Sequence, residues 1–320
     1  MISIESEAIV ARVDERNGDI VFVGRPNGTN RLFFQDWVSP AAGPGYGSAA
    51  MDWLSTYRGG WQELIPNPGN DSEWGGVALP FHGDVRYASW EVVDRSPTSV
   101  SLRVPTRLPI ILERSMSVEG EVLRLEERLV SDAPIDVPFA WTHHPAFDAP
   151  PGTKIDLPPA RIAADSAMIG DLVDVVAGSI GTWPELPAVD GGVIDLSVID
   201  ERSVERLVFA SELKGHWAAV RHPDGYTIAM AWDPETFPNL WVWWQIGGSG
   251  FPWFGRSRLV AIEPSTTSDS SGLAPAIERG EHLMLSAGGS WSTWLTMTLV
   301  EGRNRVVNVT RDGHVSSARI

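Results

Sequence analysis

Three short segments of this 320-residue chain set ionisable side chains at the ends of apolar runs. In LPFHGDVR, residues 79–86, an apolar run closes on His-Gly, and if the segment continues extended then His82, Asp84 and Arg86 project from one face. In PFAWTHHPAFD, residues 138–148, His143 and His144 are neighbours on an aromatic-rich strand. They therefore point to opposite faces, so only one of them serves any one site. Pro145 removes a ladder donor there and is expected at a strand end or edge. In LVAIEPSTTS, residues 259–268, Leu259, Ala261 and Glu263 share a face, and Pro264 is expected to stop the strand just past the carboxylate. A carboxylate closing an apolar run is costly unless it is paired or used. With imidazoles it can form a general acid–base pair. Each signal taken alone also fits a structural role: a satisfied core histidine, or a glutamate capping a turn. Metal ligation by His82, His144 and Glu263 is stereochemically open, but the chain has no local ligand pair of the HxH or HExxH kind, and no metal is expected.

Tryptophan is the second signal, with fifteen in the chain. In Trp241-Val242-Trp243-Trp244-Gln245, alternation puts Trp241, Trp243 and Gln245 on one face, and Trp253 and Phe254 follow a Gly-rich turn. An aromatic plane suits the C–H face of a sugar ring, while Gln, Asn, Asp and His direct hydrogen bonds to hydroxyls. Most of the fifteen are nonetheless expected to be core filler.

The elements that position these residues read as strands. No segment carries helical periodicity over three turns. Residues 112–130 alternate on both sides of Glu119-Gly120, which makes a hairpin, and residues 217–232 make a second one around His222-Pro223-Asp224-Gly225. Further strands are expected at 240–246, 258–262 and 290–300. Thirty-one glycines and 24 prolines are spread along the chain. Strands that return every ten residues or so indicate an all-β sandwich or barrel. Residues 149–200, richer in Pro, Asp and Gly, read as an excursion from one sheet. The tail after Gly302 reads as a last strand or a loose end.

Composition narrows the partners. Twenty-five basic against 41 acidic side chains give a formal charge of −16, which disfavours nucleic acid and anionic membranes. With no cysteine there is no disulfide framework, zinc-thiolate site or thiol nucleophile. No secretory n- and h-region opens the chain, and no apolar run approaches the ~18 residues that span a bilayer. The expectation is a cytoplasmic protein, monomer or homodimer.

Taken in order, LPFHGDVR, VPFAWTHHPAF, NLWVWWQIGG and AIEPSTTS resemble the motifs of the aldose 1-epimerase (galactose mutarotase-like) superfamily over roughly residues 55–300. The resemblance implies one unit over residues 1–320, a β-supersandwich of antiparallel strands whose concave face binds a monosaccharide or sugar derivative without a cofactor. It implies Glu263 as general base, His144 as general acid, and His82 as the histidine that orients substrate hydroxyls. Arg86 matches the arginine of the His-Gly segment, and Trp243 and Gln245 fall on the sugar-facing strand. Where the galactose-type enzymes carry an Arg-Asn-Arg stretch, this chain reads RGGWQELIPNPGNDSEWGG, so Trp61, Gln62 and Asn67 are expected to take over those contacts. The acidic substrate ligand stays open among Asp233, Asp224 and Glu212. Desolvation should raise Glu263, and the carboxylate should favour a charged His144. Two other readings share the fold: a hexose-phosphate epimerase, using Arg58, Arg86 and Arg256, and a non-catalytic carbohydrate-binding protein.

Overall fold

The computed structural model describes residues 1–38 and 48–318. Two antiparallel sheets dominate it. The larger has twelve strands, with Trp61–Leu64, Thr142–Asp148, Arg258–Ser265, Asn239–Ile246 and Val204–Ser211 side by side at its centre. The smaller has eight and contains both sequence hairpins: Ile111–Glu119 with Val122–Val130, and Trp217–Arg221 with Tyr226–Trp232. Gly120 and Gly225 turn these hairpins at φ +54° and +100°, where a glycine lacks the Cβ penalty. The all-β expectation is met, and the architecture is a sandwich.

The inner faces of the two sheets share one apolar core, in which Leu112, Leu125 and Met297 of the smaller sheet lie with Trp61, Val242 and Ile262 of the larger. The first hairpin, Ile111–Glu119 with Val122–Val130, alternates buried and exposed residues, as expected with one face in water, whereas the strands of the second are buried on both faces because the C-terminal hairpin packs over them. The central strands of the larger sheet are buried on both faces, which explains their near-continuous apolar runs. Their second face is covered by a separate apolar cluster containing Phe33, Trp53, Tyr57 and Trp253.

Residues 149–200 supply an edge strand to the smaller sheet, Lys154–Asp156, and four strands to one side of the larger, Arg161–Ala164, Ile180–Thr182, Glu185–Pro187 and Val193–Asp195. The tail forms a hairpin, Val306–Val309 with Val315–Ser317, whose apolar side chains pack on Trp217, Ala219 and Ala229.

Both proline expectations need correction. Pro145 lies in Thr142–Asp148, a central strand, and Arg258–Ser265 runs through Pro264. These two strands pair at Thr142↔Ser265 and again from Ala146↔Ala261, with no pairing between. The two prolines fall opposite each other's gap, so their missing N–H groups coincide with an opening of the ladder and cost no bond.

Candidate active site

The same register builds the site. Carried across the opened stretch, it sets His144 directly opposite Glu263. On the other sides His144 faces Gln62, and Glu263 faces Trp241, which faces Phe209. Cross-strand partners share a face. The row Gln62, His144, Glu263, Trp241, Phe209 therefore crosses five adjacent strands on the face turned away from the inter-sheet core. Nε2 of His144 lies 3.6 Å from Oε1 of Glu263, and both residues are only 2% exposed.

His82 joins them from a loop. The segment is not extended, which corrects the one-face expectation. After the strand Val77–Leu79 it turns, and Val85–Tyr87 is a 3-10 turn. His82 sits at φ +63°, and its Nδ1 accepts the Gly69 N–H at 3.1 Å, leaving Nε2 to carry the ring proton. Asp84 instead accepts the Arg107 N–H, and Arg86 donates weakly to the Thr56 carbonyl and hydroxyl. The loop is held by close backbone approach. A Cβ on Gly83, at φ +77°, would lie 2.2 Å from the Ile65 carbonyl oxygen. Gly83→Ala is expected to cost about 1–3 kcal/mol and to displace His82; unchanged thermal stability and activity would show that the loop absorbs the methyl.

A short helix, Ala49–Thr56, closes the cavity. Ser48 Oγ caps it by accepting the Met51 N–H at 3.2 Å. Trp53 and Tyr57, four residues apart, lie on one helical side. Their rings stack with centroids 4.4 Å apart and stand edge-on to His144 at 5.5 and 5.6 Å. Trp53 also meets His82 edge-on at 4.7 Å, and Trp243 lies 5.7 Å from His144. The space beneath the helix is about 220 Å³ and open on one side, with Phe81, Leu207 and Trp241 completing its apolar wall and Asn70, Asp165 and Ser270 its polar one. That is below the ~300–1,000 Å³ of drug-sized pockets, a size for one small ring.

Burial dominates the electrostatics. It pushes Glu263 well above the usual carboxylate range and holds His144 down to about 4 and His82 well below the ordinary histidine range. The expectation of a charged His144 is corrected: in an aromatic shell, desolvation of both groups outweighs their attraction across 3.6 Å. Burial thus favours the neutral form of each group, the protonated carboxyl and the uncharged imidazole. Burial, and then the charge of Glu263, also raise the Tyr57 phenol, which stays protonated.

The other sequence candidates divide. Trp243 lines the cavity. Gln62 shares the face, but its Nε2 turns away to Asp19 at 3.2 Å. Arg86 and Asp19 line a neighbouring cavity of about 310 Å³ together with Arg58. Burial pushes the Asp19 carboxyl up to about 6. Gln245 is buried at the far end of its strand, where it bonds Glu205 and, at 3.5 Å, Ser257. Asn67 is spent on the loops: Nδ2 donates to the Asn70 and Pro80 carbonyls and Oδ1 accepts the Leu273 N–H. Trp61 points into the inter-sheet core, where its indole donates to His143 Nδ1 at 3.1 Å. Trp61, Asn67 and Gln245 are thus removed from the cavity wall by their own internal partners. Arg256 lies over the Trp37 ring, so none of Arg58, Arg86 and Arg256 lines the cavity. Asp233, Asp224 and Glu212 do not line it either. Besides Glu263, the acidic side chain that lines it among the described residues is Asp165, which the sequence did not single out and which carries no periodic or motif signal. Trp53 and Tyr57 were also missed, although their four-residue spacing was a readable cue.

His143, on the opposite face, belongs to a buried ionic cluster behind the site. Its Nδ1 lies 3.1 Å from Glu63 and its Nε2 3.0 Å from Glu127. Arg114 bridges the two carboxylates at 2.7 and 2.8 Å and donates to the Gly18 carbonyl. Burial, then the charge of Glu127, push Glu63 up to about 7, and burial holds His143 down to about 4. The ligand-type atoms of Glu63, Glu127 and His143 lie within 4.8 Å of one another, but the guanidinium already holds the charge position that a cation would take.

No family model and no curated protein sequence matches the chain. Solved structures do. A protein from Synechocystis is 17% identical, with TM-score 0.69 over 94% of this chain and 95% of that one. A putative aldose 1-epimerase from Escherichia coli is 16% identical, with TM-score 0.67 over 93% and 98%. A galactose mutarotase related enzyme from Lactobacillus acidophilus is 15% identical, with TM-score 0.65 over 96% and 99%. The chain has the galactose mutarotase-like fold. On this fold, His144 and Glu263 lie at the centre of the larger sheet, on the face covered by the helix and loops. No helix among the described residues is long and apolar enough to cross a membrane.

Proposed function

We propose that the protein is an aldose 1-epimerase-like isomerase that interconverts the α and β anomers of a sugar by ring opening, without a cofactor. The observation that carries this reading is the register-fixed pair of His144 and Glu263, 3.6 Å apart in an aromatic cavity of about 220 Å³ with His82 at its rim.

Ring opening needs a base to take the proton of the anomeric hydroxyl while the C1–O5 bond breaks and an acid protonates O5. The aldehyde then rotates about C1–C2, and the reverse steps close the other anomer. Glu263 is the base and His144 the acid. In the free protein, burial favours the protonated carboxyl of Glu263. A bound sugar brings hydroxyl donors to the carboxylate, and the proton crosses to His144, where the adjacent anion supports the imidazolium. His82, with Nδ1 engaged by Gly69, offers Nε2–H to a substrate oxygen. Trp243 and Trp53 supply apolar surface for the ring. With no arginine among the described residues of the cavity wall, a neutral sugar fits better than a sugar phosphate in the reacting position.

Anomeric exchange measured by NMR saturation transfer over a panel of aldoses and their 6-phosphates tests the proposal. Acceleration that is lost in Glu263→Gln supports it, whereas binding without acceleration would make the protein a carbohydrate binder. His144→Asn is expected to lower the rate at least ~10²-fold. The pair needs one proton to work, so kcat/KM should fall below about pH 4, where His144 gains a second. It should fall again above the raised pKa of Glu263, where the last proton leaves. A profile flat across both limits would detach the reaction from this pair.

A further inference from the structure

The cavity does not end at its polar wall. Asn70, Asp165 and Ser270 also border a second space of about 520 Å³ over the same sheet face. The two spaces lie along one cross-strand row. Glu263 is paired with Trp241, Trp241 with Phe209, and Phe209 with Ala163. Phe209 is half-buried and contacts the Trp241 ring edge-on at 5.8 Å, so the aromatic surface continues from the first space into the second.

The second space is lined differently from the first. Ser211 and Arg161 stand opposite each other across two strands. The Arg161 side chain is exposed and makes no hydrogen bond or ion pair within the described residues. The Asp165 carboxylate, at the junction, accepts only the Ala167 N–H through Oδ1. Aromatic surface with unspent hydroxyl, carboxylate and guanidinium groups is the chemistry that holds sugar hydroxyls and ring faces. One small ring fills the first space, and the second has room for more than one further ring.

Resting on the reading above, we infer that the substrate is an oligosaccharide, with its reducing-end unit beside His144 and Glu263 and its next units in the Phe209–Arg161–Asp165 groove. The polarity of the chain follows from the chemistry. Only the reducing end carries a free anomeric hydroxyl, so that unit must reach the acid–base pair and the non-reducing units must leave through the groove. A substituent on C4 or C6, across the ring from C1, can take that path. One on C2, next to the reacting carbon, meets the cavity wall.

Anomer exchange is measured on glucose and galactose, on the 1→4 disaccharides maltose, cellobiose and lactose, on 1→6-linked isomaltose, on 1→2-linked sophorose, and on maltotriose. Each sugar is run with wild type, with Arg161→Ala and with Ala163→Trp, which fills the groove. The expected result is a kcat/KM for at least one 1→4- or 1→6-linked sugar ten-fold or more above that of its monosaccharide, little exchange of sophorose, and a ratio of oligosaccharide to monosaccharide that falls at least five-fold in each variant. Arg161→Ala removes only an exposed, unpartnered side chain, so it keeps the test valid if Ala163→Trp folds poorly. Exchange of monosaccharides with no oligosaccharide preference, or a preference that both variants retain, would overturn the inference and leave the epimerase reading standing. Exchange of no sugar at all would overturn both.

Discussion

Glu263→Gln is expected to lower the saturated rate of anomer exchange by at least ~10²-fold while leaving KM within a few-fold of wild type. Glutamine keeps the size and one acceptor of the side chain but cannot take the anomeric proton. The fold should survive the change. Glu263 is 2% exposed and already held well above the usual carboxylate range by burial, so the site favours a neutral group there, which the carboxamide supplies. The variant should also lose the alkaline limb of the pH profile, because the proton whose departure sets that limb is gone. Near wild-type exchange in Glu263→Gln would remove the carboxylate from the chemistry and leave His144 and His82 as the remaining candidates. A lost rate with a KM raised by orders of magnitude would point to a binding role instead.

The largest stability effect is expected at Arg114. Its side chain is 1% exposed, bridges Glu63 and Glu127, donates to Gly18 and lies 4.7 Å over the Trp90 ring. Removing one partner of a buried ionic cluster leaves uncompensated charge, and Arg114→Met is expected to cost about 3–5 kcal/mol. That is a large share of the ~5–15 kcal/mol that holds a typical domain folded. The deficit should depend on pH. Glu63 already sits at about 7 in the folded protein, and loss of the guanidinium, whose charge lowers it, raises it further. A group raised by folding contributes stability below its unfolded value of 4.5, and that contribution is lost as pH rises through the folded value. The melting temperature of Arg114→Met should therefore fall further behind wild type between pH 5 and 8. Adding Glu63→Gln and Glu127→Gln should recover part of the loss. Melting curves of wild type and Arg114→Met that coincide at pH 8 would show that the cluster is not an ionic support. The effect should reach the site, since Glu63 and His143 are the immediate neighbours of Gln62 and His144 on adjacent strands.

The sequence carried much of this. Alternation in residues 112–130 depends only on period-two side-chain geometry, and the second hairpin, 217–232, on apolar runs flanking a Pro-Asp-Gly turn, so both were legible. His82, His144 and Glu263 stood out because polar groups ending apolar runs need a reason, and the order of the segments around them supplied the resemblance. The prolines misled. Pro145 and Pro264 each read as a strand end because a missing N–H is a local property, while the harmless position of both depends on their falling within the same opened stretch of the ladder. The same register, set by strands over a hundred residues apart, decided that His144 faces Glu263 and that His143 turns to Arg114.

What the sequence by itself determined was the class of fold, the hairpins and the three groups able to move protons, all of which follow from local pattern and residue chemistry. Tertiary structure alone decided the rest. It withdrew Trp61, Asn67 and Gln245 from the cavity because each finds a buried partner that only folding brings near. It supplied Trp53, Tyr57 and Asp165 from a helix and a loop. It raised Glu263 and held His144 down, because a group's charge state depends on how much water its neighbours exclude, and no spacing along a chain records that.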